Sequence, residues 1–437
     1  MISAKDNETL TRVGPGTPMG RMMRRYWHPV CASSQVAMPD SDPLRVRMFG
    51  ENFVVFRDSN GAVGILDEYC MHRRASLAIG RVEDGGIRCL YHGWKFGVDG
   101  TIQETPNHCD VRFAARMKAP AYPCREAGGV IWGYFGPKDK EPVFQKWGFF
   151  DGPDENRVIL RINTAANYLQ LWEGGCDSSH VGILHCNRAN PSWKTNTFEA
   201  VTDEDYNPGA LSVGDNAPIL EVENTPYGYQ YAAKRQGPAG EDGKSNHSVR
   251  VTPVIFPTGR IIPAPAFQFY VFEVPQDDFK TSTYLICHGD KPVDREDIKR
   301  IMGLDNERFW RDEEDCEFRA TWDDNLGQDR MAMRNEDWSG FAGIEQEDAI
   351  IAVSMGPIVE RHKEVLVAAD MAVVRLRERL LESVRRNEAG EAPLGLDIAD
   401  YTPVRALVDT VIGADERWQD HVPDDMGASQ RKMEPAE

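Results

Sequence analysis

Between position 44 and about position 137, apolar and polar residues alternate in short runs broken by turn signals. Leu44–Phe49 and Phe53–Phe56 are joined at Gly50-Glu51-Asn52, and Ser59-Asn60-Gly61 and Asp99-Gly100 read as hairpin turns. The second of these separates Trp94–Phe96 from Thr101–Ile102. Closely spaced turns between short strands predict a small β-sandwich. Gly136–Pro142, rich in Pro, Gly and Lys, reads as a linker. Beyond it, residues 157–200 look mixed. Strand-like runs then recur at Tyr227–Ala232, Ser248–Ile255, Ala266–Val274 and Thr281–His288, with a polar loop at 239–246. From Asp294 the period changes: Val373, Leu376, Leu380 and Val384 repeat at helical spacing between Glu360 and Arg386, closed by Asn387 and Gly390. Val404–Ile412, with Pro403 just before it, reads as one more short helix. The tail after Asp424 is polar, and no internal repeat is found. The fold class expected is α+β.

Composition narrows the setting. A formal charge of −19 argues against nucleic acid or an anionic membrane as partner, and an anionic substrate needs a local cation. No apolar stretch is long enough for a membrane span, and Met1–Leu10 has no apolar core of a signal peptide. Nine cysteines in a chain of 437 residues make a weak disulfide framework and point to a reducing cytoplasm. Gly14-x-Gly16-x3-Gly20 has the wrong spacing for a dinucleotide fingerprint, is interrupted by Pro15 and Pro18, and is expected to be a loop.

Two constellations carry chemistry. Cys70-Met-His72 is followed, after sixteen residues, by Cys89-Leu-Tyr-His92. Two loops that each present a thiolate and an imidazole hold a metal centre between them. Two thiolates on one iron and two imidazoles on the other make a Rieske [2Fe–2S] cluster, whose potential is higher than that of a four-cysteine cluster. Zinc also accepts Cys2His2, but zinc fingers usually keep their cysteines together and their histidines together. The second constellation is Asp177-Ser-Ser-His180 and His185, preceded by Asn167-Tyr-Leu-Gln170 and Glu173. Asp177 and His180 are spaced to share a helix face. His180 and His185 stand about 140° apart on an ideal helix, so converging on one metal requires a distorted or ending helix. Two imidazoles and a carboxylate form the facial triad of non-haem Fe(II) oxygenases.

Taken together, Cys-x-His…Cys-x2-His and Asn-x-x-Gln-x-x-Glu-Gly-x-x-Asp-x-x-His-x4-His resemble the large subunit of Rieske ring-hydroxylating oxygenases. Arg73–Leu77 and Gly93–Phe96 also look like Rieske cluster-binding loops. The similarity is narrower still to the phthalate dioxygenase-like branch, which includes phenoxybenzoate dioxygenase and an O-demethylase acting on the lignin-derived biaryl dehydrodivanillate. It runs from Gly14–Gly20 to about Asp370. The resemblance implies an N-terminal segment at 1–26, a Rieske domain at 27–140, a catalytic domain with a helix-flanked antiparallel sheet at 141–424 and a polar tail at 425–437. It places the cluster on Cys70, His72, Cys89 and His92, and a mononuclear Fe(II) on His180, His185 and a carboxylate. That carboxylate lies a few residues before Ser354-Met-Gly-Pro-Ile358, which points to Asp348, with Glu347 and Asp337 as alternatives; Val353 departs from the branch, which often has Glu there.

The resemblance further implies that His92 of one subunit approaches Asp177 of its neighbour in a head-to-tail homotrimer or a dimer of trimers. Asp177 then hydrogen-bonds His180 and bridges the two iron centres, and Asn167 is a second catalytic candidate. No ferredoxin-type cysteine run is present, so a separate NAD(P)H-dependent reductase, with or without a ferredoxin, is implied. The branch mostly handles aromatic carboxylates, which suit an arginine fork. Arg250 is the first candidate for it, with Arg235, Lys234 and Arg260 behind it. No arginine occurs from 189 to 234, which leaves the source of a second carboxylate contact open. Both cis-dihydroxylation of the ring and hydroxylation of a methoxy carbon, whose hemiacetal collapses to a phenol and formaldehyde, fit the iron chemistry. Readings of other classes are a zinc-dependent hydrolase with a structural zinc and a cluster-bearing electron-transfer or redox-sensing protein.

Overall fold

The computed structural model describes residues 2–108, 111–114, 116–185, 217–239, 245–264, 266–306, 309–335 and 338–422. The polar tail, Asp337 and most of the 239–246 loop lie outside the described residues.

The N-terminal part is built from three small antiparallel sheets. One joins Trp27–Ala32, Val130–Tyr134 and Cys124–Ala127. The second orders Leu44–Met48, Glu51–Arg57, Val63–Asp67 and Ala121–Tyr122. The third is a short meander of Arg81–Glu83, Gly86–Arg88, Lys95–Phe96 and Ile102–Glu104. Val54, Phe56, Leu66, Trp94 and Phe96 bury a local core that also encloses Cys70 and Cys89. The Gly14–Gly20 segment caps the helix Pro18–Met23 and follows the helix Ala4–Thr11, with no strand before it.

The C-terminal part is a nine-stranded sheet among the described residues. Its strands are β1 (Arg157–Thr164), β2 (Ile219–Thr225), β3 (Gly228–Ala239), β4 (Ser245–Ile255), β5 (Gly259–Pro263), β6 (Phe267–Pro275), β7 (Thr281–Gly289), β8 (Asp315–Glu317) and β9 (Leu407–Ile412). The order is β2-β3-β4-β5-β6-β7-β1-β8, and β9 pairs with β4. Neighbours are antiparallel except β1 and β8. Helices α1 (Tyr168–Cys176), α2 (Val181–Leu184), α3 (Ile344–Ser354) and α4 (Met371–Glu388) complete the part that matters for the site.

Three expectations change. Leu407–Ile412 is a strand, because Thr410, Val411 and Ile412 are β-branched and pair with the ladder of β4. The long helix begins at Met371, not near Glu360; residues before it form short 3-10 turns at Arg361–Lys363 and Ala368–Asp370. Asp177 and His180 do not share a helix face: α1 ends at Cys176, Asp177 is its extended C-cap, and His180 and His185 bracket the single turn α2. The two imidazoles converge because the helix ends: His185 leaves helical geometry as the C-cap of α2.

Candidate metal centres and substrate cavity

The two loops carrying Cys70 and Cys89 fold alike. Cys70 N–H donates to Ala75 O at 2.8 Å, and its carbonyl accepts from Arg74 N–H at 2.9 Å. Cys89 repeats the pattern with Trp94 O and Gly93 N–H, at 2.9 and 3.0 Å. Each loop turns through a left-handed residue, Arg74 at φ 60° and Gly93 at φ 75°. At Gly93 that conformation costs little; at Arg74 it is carried by the surrounding bonds. Both thiols are buried. Burial pushes Cys70 up to about 11, and the neighbouring Cys89 thiol adds to the rise. The His72 ring stacks on Trp94 at 4.7 Å and meets the His92 ring edge-on at 4.5 Å. His92 Nδ1 is buried with no hydrogen-bond partner. A buried unpartnered imidazole nitrogen is costly. Beside two adjacent thiols and a second imidazole, it is the donor set that a Rieske cluster satisfies, so the residues fit the group. Leu90 and Tyr91 between these ligand positions are exposed, with Arg73 over the Tyr91 ring at 5.3 Å.

At the second constellation, His180 Nε2 and His185 Nε2 face each other at 3.1 Å. Asp348 Oδ1 on α3 lies 3.6 Å from the first and 3.3 Å from the second. Donors at about 2.1 Å from one ion in adjacent octahedral positions stand about 3 Å apart. The three atoms therefore fit a single small cation. His185 presents its Nε2 because its Nδ1 is held by Glu347 Oε2 at 2.7 Å, and Glu347 in turn accepts from the Ser339 hydroxyl. Burial pulls the His185 pKa down, but Asp348 and Glu347 outweigh it and push it up to about 10. Burial lowers His180, with His185 adding to the effect. The site concentrates negative potential on a point between two imidazoles, which is what a cation requires. Glu347 thus contacts the far side of His185, and Asp348 the near side. Asp337 is outside the described residues.

The rest of the motif is tied into the fold by named contacts. Asn167, read as catalytic from the sequence, caps α1 by accepting from Leu169 N–H and donates to Thr11 O at 3.0 Å and Asp278 O at 2.8 Å. Its side chain is fully used there, and it is not among the residues lining the cavity described below. Gln170 Nε2 donates to Ala352 O and Gly356 O, both at 2.9 Å, and ties α1 to the end of α3. Glu173 is clasped by Arg361 at 2.8 Å and Arg377 at 2.6 Å. Burial alone raises its pKa, but Arg361 and then Arg377 bring it below the ordinary value. Asp177 Oδ1 accepts from Ser179 N–H at 2.8 Å and from the Ser179 hydroxyl at 2.6 Å, while Oδ2 stands 3.9 Å from His180 Nδ1. That is ion-pair distance rather than a hydrogen bond.

A cavity opens beside His180, His185 and Asp348. Alternate residues of the sheet line one wall: Arg250 and Thr252 on β4, Arg260 and Ile262 on β5, Phe269 and Val271 on β6. Val181, Tyr231, Leu285, Met302 and Ile344 complete an apolar surround. Of the four cationic candidates, Arg250 and Arg260 line this space. Arg235 lies behind it and donates to Ser178 O at 2.7 Å, and Lys234 pairs with Glu221 at 2.9 Å. Arg260 is bound to Glu273 at 2.8 Å in a buried pair. A Cβ on Gly175 would collide with the Arg260 guanidinium, so α1 needs glycine at that point. Sequence reasoning missed Glu345, a buried lining carboxyl whose pKa burial pushes up to about 8, with Glu273 adding to the rise. Its spacing three residues before Asp348 was the available signal.

A cluster-binding β-sandwich joined to a sheet domain with a histidine–carboxylate cavity is the architecture of an iron-dependent oxygenase. Comparison with known proteins gives the family. Residues 26–115 match the Rieske [2Fe-2S] domain, and residues 133–436 match the family described as LigXa C-terminal domain like. The chain is 35% identical over 426 residues to the phthalate 4,5-dioxygenase oxygenase subunit of Pseudomonas putida, covering 96% of this chain and 95% of that one. It is 39% identical over 191 residues to the 5,5'-dehydrodivanillate O-demethylase oxygenase subunit of a Sphingobium species, covering 43% of this chain and 44% of the relative. The terminal oxygenase of carbazole 1,9a-dioxygenase from Nocardioides aromaticivorans shares the fold, with a TM-score of 0.55 at 17% identity over 87% of this chain and 97% of that one. The chain belongs to the Rieske non-haem iron oxygenases and is an oxygenase component that uses a [2Fe–2S] cluster and a mononuclear iron. The hydrolase and pure electron-transfer readings fall with that placement. No helix among the described residues is long and apolar enough to cross a membrane.

Proposed function

We propose that this oxygenase oxidises an aromatic carboxylate, at a ring carbon or at a methoxy carbon, with electrons from a separate NAD(P)H-dependent reductase, directly or through a ferredoxin. The observation that carries the reading is the meeting of His180, His185 and Asp348 at the edge of a mostly apolar cavity that also presents Arg250. When bound, the cluster relays single electrons and the mononuclear iron activates O2. Cys70, Cys89, His72 and His92 hold the cluster; His180, His185 and Asp348 hold the iron. Glu347 fixes the tautomer and tilt of His185, a task that carboxylates commonly perform behind metal-bound imidazoles. Arg250 orients the substrate by its carboxylate. The apolar wall from Ile262 to Val271 receives the ring and excludes water.

Asp177 lies beside His180 at the end of α1 and holds charge or a proton between it and His92 of a neighbouring copy. That arrangement calls for a head-to-tail homotrimer or a dimer of trimers. The exposed Leu90 and Tyr91 beside His92 support a protein-covered cluster tip. The test is anaerobic purification with iron and sulfide counting and mass determination in solution. Turnover with a compatible reductase on methoxylated and carboxylated aromatics follows. The reading expects three irons per chain in sum, formaldehyde or a cis-diol as product, and a trimer or hexamer. A metal-replete enzyme that oxidises no member of such a panel overturns the substrate class.

A further inference from the structure

One group in the cavity has no task in that account. Glu345 stands in the first turn of α3, three residues before Asp348, and its carboxyl lines the cavity. It is 8% exposed. No hydrogen bond or ion pair joins its side chain to another described residue. Nor are its oxygens sealed in the protein: the residue lines the open cavity. The carboxyl therefore looks into the cavity. Leaving such a group unpaired in an apolar site is costly, and the cost is removed when a ligand supplies the partner.

The surroundings say which partner fits. Arg260, a cation whose charge acts on Glu345, is ion-paired through Nη1 with Glu273 at 2.8 Å, and Glu273 and Asp348 add acidic charge around it. An anionic substituent at this end would stand against like charge with no cation assigned to it. A purely apolar substituent would leave the carboxyl unpaired. A hydroxyl suits it in either protonation state, donating to a carboxylate or accepting from a carboxylic acid.

We propose that Glu345 is a specificity-determining residue that receives a hydroxyl group of the substrate. The cavity thereby selects hydroxylated aromatic monoacids, carboxylate toward Arg250, over aromatic dicarboxylates. The inference rests on the aromatic-carboxylate reading above and adds to it the second polar contact.

The test uses the full-length, cluster- and iron-replete enzyme under anaerobic conditions. Dissociation constants are measured by calorimetry for benzoate, its ortho-, meta- and para-hydroxy derivatives, and phthalate, with wild type, Glu345→Gln and Glu345→Leu. In wild type at least one hydroxybenzoate binds about tenfold tighter than benzoate, the worth of one hydrogen bond to a charged or buried carboxyl. Phthalate binds more weakly than that hydroxybenzoate. In Glu345→Leu the hydroxyl preference disappears while benzoate binding is kept. In Glu345→Gln, which keeps its shape and a hydrogen bond, part of the preference survives and phthalate gains. Equal weakening of benzoate and hydroxybenzoate in both variants marks a merely structural carboxyl and overturns the proposal, as does wild-type preference for phthalate. If wild type binds none of the five probes, the aromatic-acid reading fails first and takes this inference with it.

Discussion

His185 donates through Nδ1 to Glu347 Oε2 at 2.7 Å, and this bond turns its Nε2 toward His180 and Asp348. Both side chains are buried, so the carboxylate orients the ring away from bulk solvent. Glu347→Ala is expected to weaken iron retention at the second site about 10- to 100-fold and to leave the cluster intact. Iron per chain after dialysis against a chelator, compared with the visible spectrum of the cluster, checks this. Full retention of iron in the variant would show that Glu347 does not orient the ring.

Removing the second iron from the wild-type enzyme gives the complementary result. Chelation is expected to abolish O2 uptake while the red-brown absorbance persists, because the Cys70 and Cys89 thiols lie in a separate buried core. Restoring ferrous iron should restore turnover. Loss of colour in step with activity would mean that one metal serves both signals.

Asp177 is anchored by Ser179, with its second oxygen facing His180 at 3.9 Å. Asp177→Ala removes no residue of either proposed ligand set. The expected outcome is unchanged iron and sulfide content, an unchanged oligomer and loss of most turnover. Coupled turnover at the wild-type rate would remove the carboxylate from the electron path.

Arg250 projects from β4 into the cavity beside Thr252. Arg250→Met keeps most of the stem and removes the charged fork. Binding of aromatic carboxylates should weaken by about tenfold to a hundredfold, with little change for an uncharged aromatic of the same shape. Equal effects on charged and uncharged ligands would point to a packing role.

The parts of this site that could be read from the sequence are those in which spacing itself encodes geometry. Cys70-x-His72 and Cys89-x2-His92 are each closed within one turn, so the donors stay together whatever the surrounding fold does. The five-residue gap from His180 to His185 likewise called for a distorted or ending helix, and His185 is the C-cap at which α2 ends. Groups brought in by tertiary packing were not legible. Glu345 joins Arg260 in the lining of one cavity only through the tertiary fold, and the bonds of Asn167 to Thr11 and Asp278 span more than a hundred residues. The last strand was read as a helix because its apolar spacing is compatible with both, and the ladder of β4 decided between them.

The same distinction between local and tertiary effects yields a pH dependence far from the iron site. His28, on the strand Trp27–Ala32, is buried, donates from Nε2 to Met23 O at 2.8 Å, and packs edge-on to Phe49 at 4.9 Å. Burial lowers its pKa from 6.5 to about 4. Below the higher value the unfolded chain takes up a proton that the folded chain refuses until the lower one. This contribution is therefore complete above pH 6.5 and is lost as the pH falls toward about 4. Over the whole window the loss is about 3 kcal/mol, and between about pH 7 and about pH 5 it is about 2 kcal/mol. Glutamine at this position retains an N–H for Met23 but does not titrate. His28→Gln should therefore show a smaller drop in its denaturant midpoint between those two conditions than wild type, even if it is less stable at both. Identical drops would place the acid sensitivity in other groups.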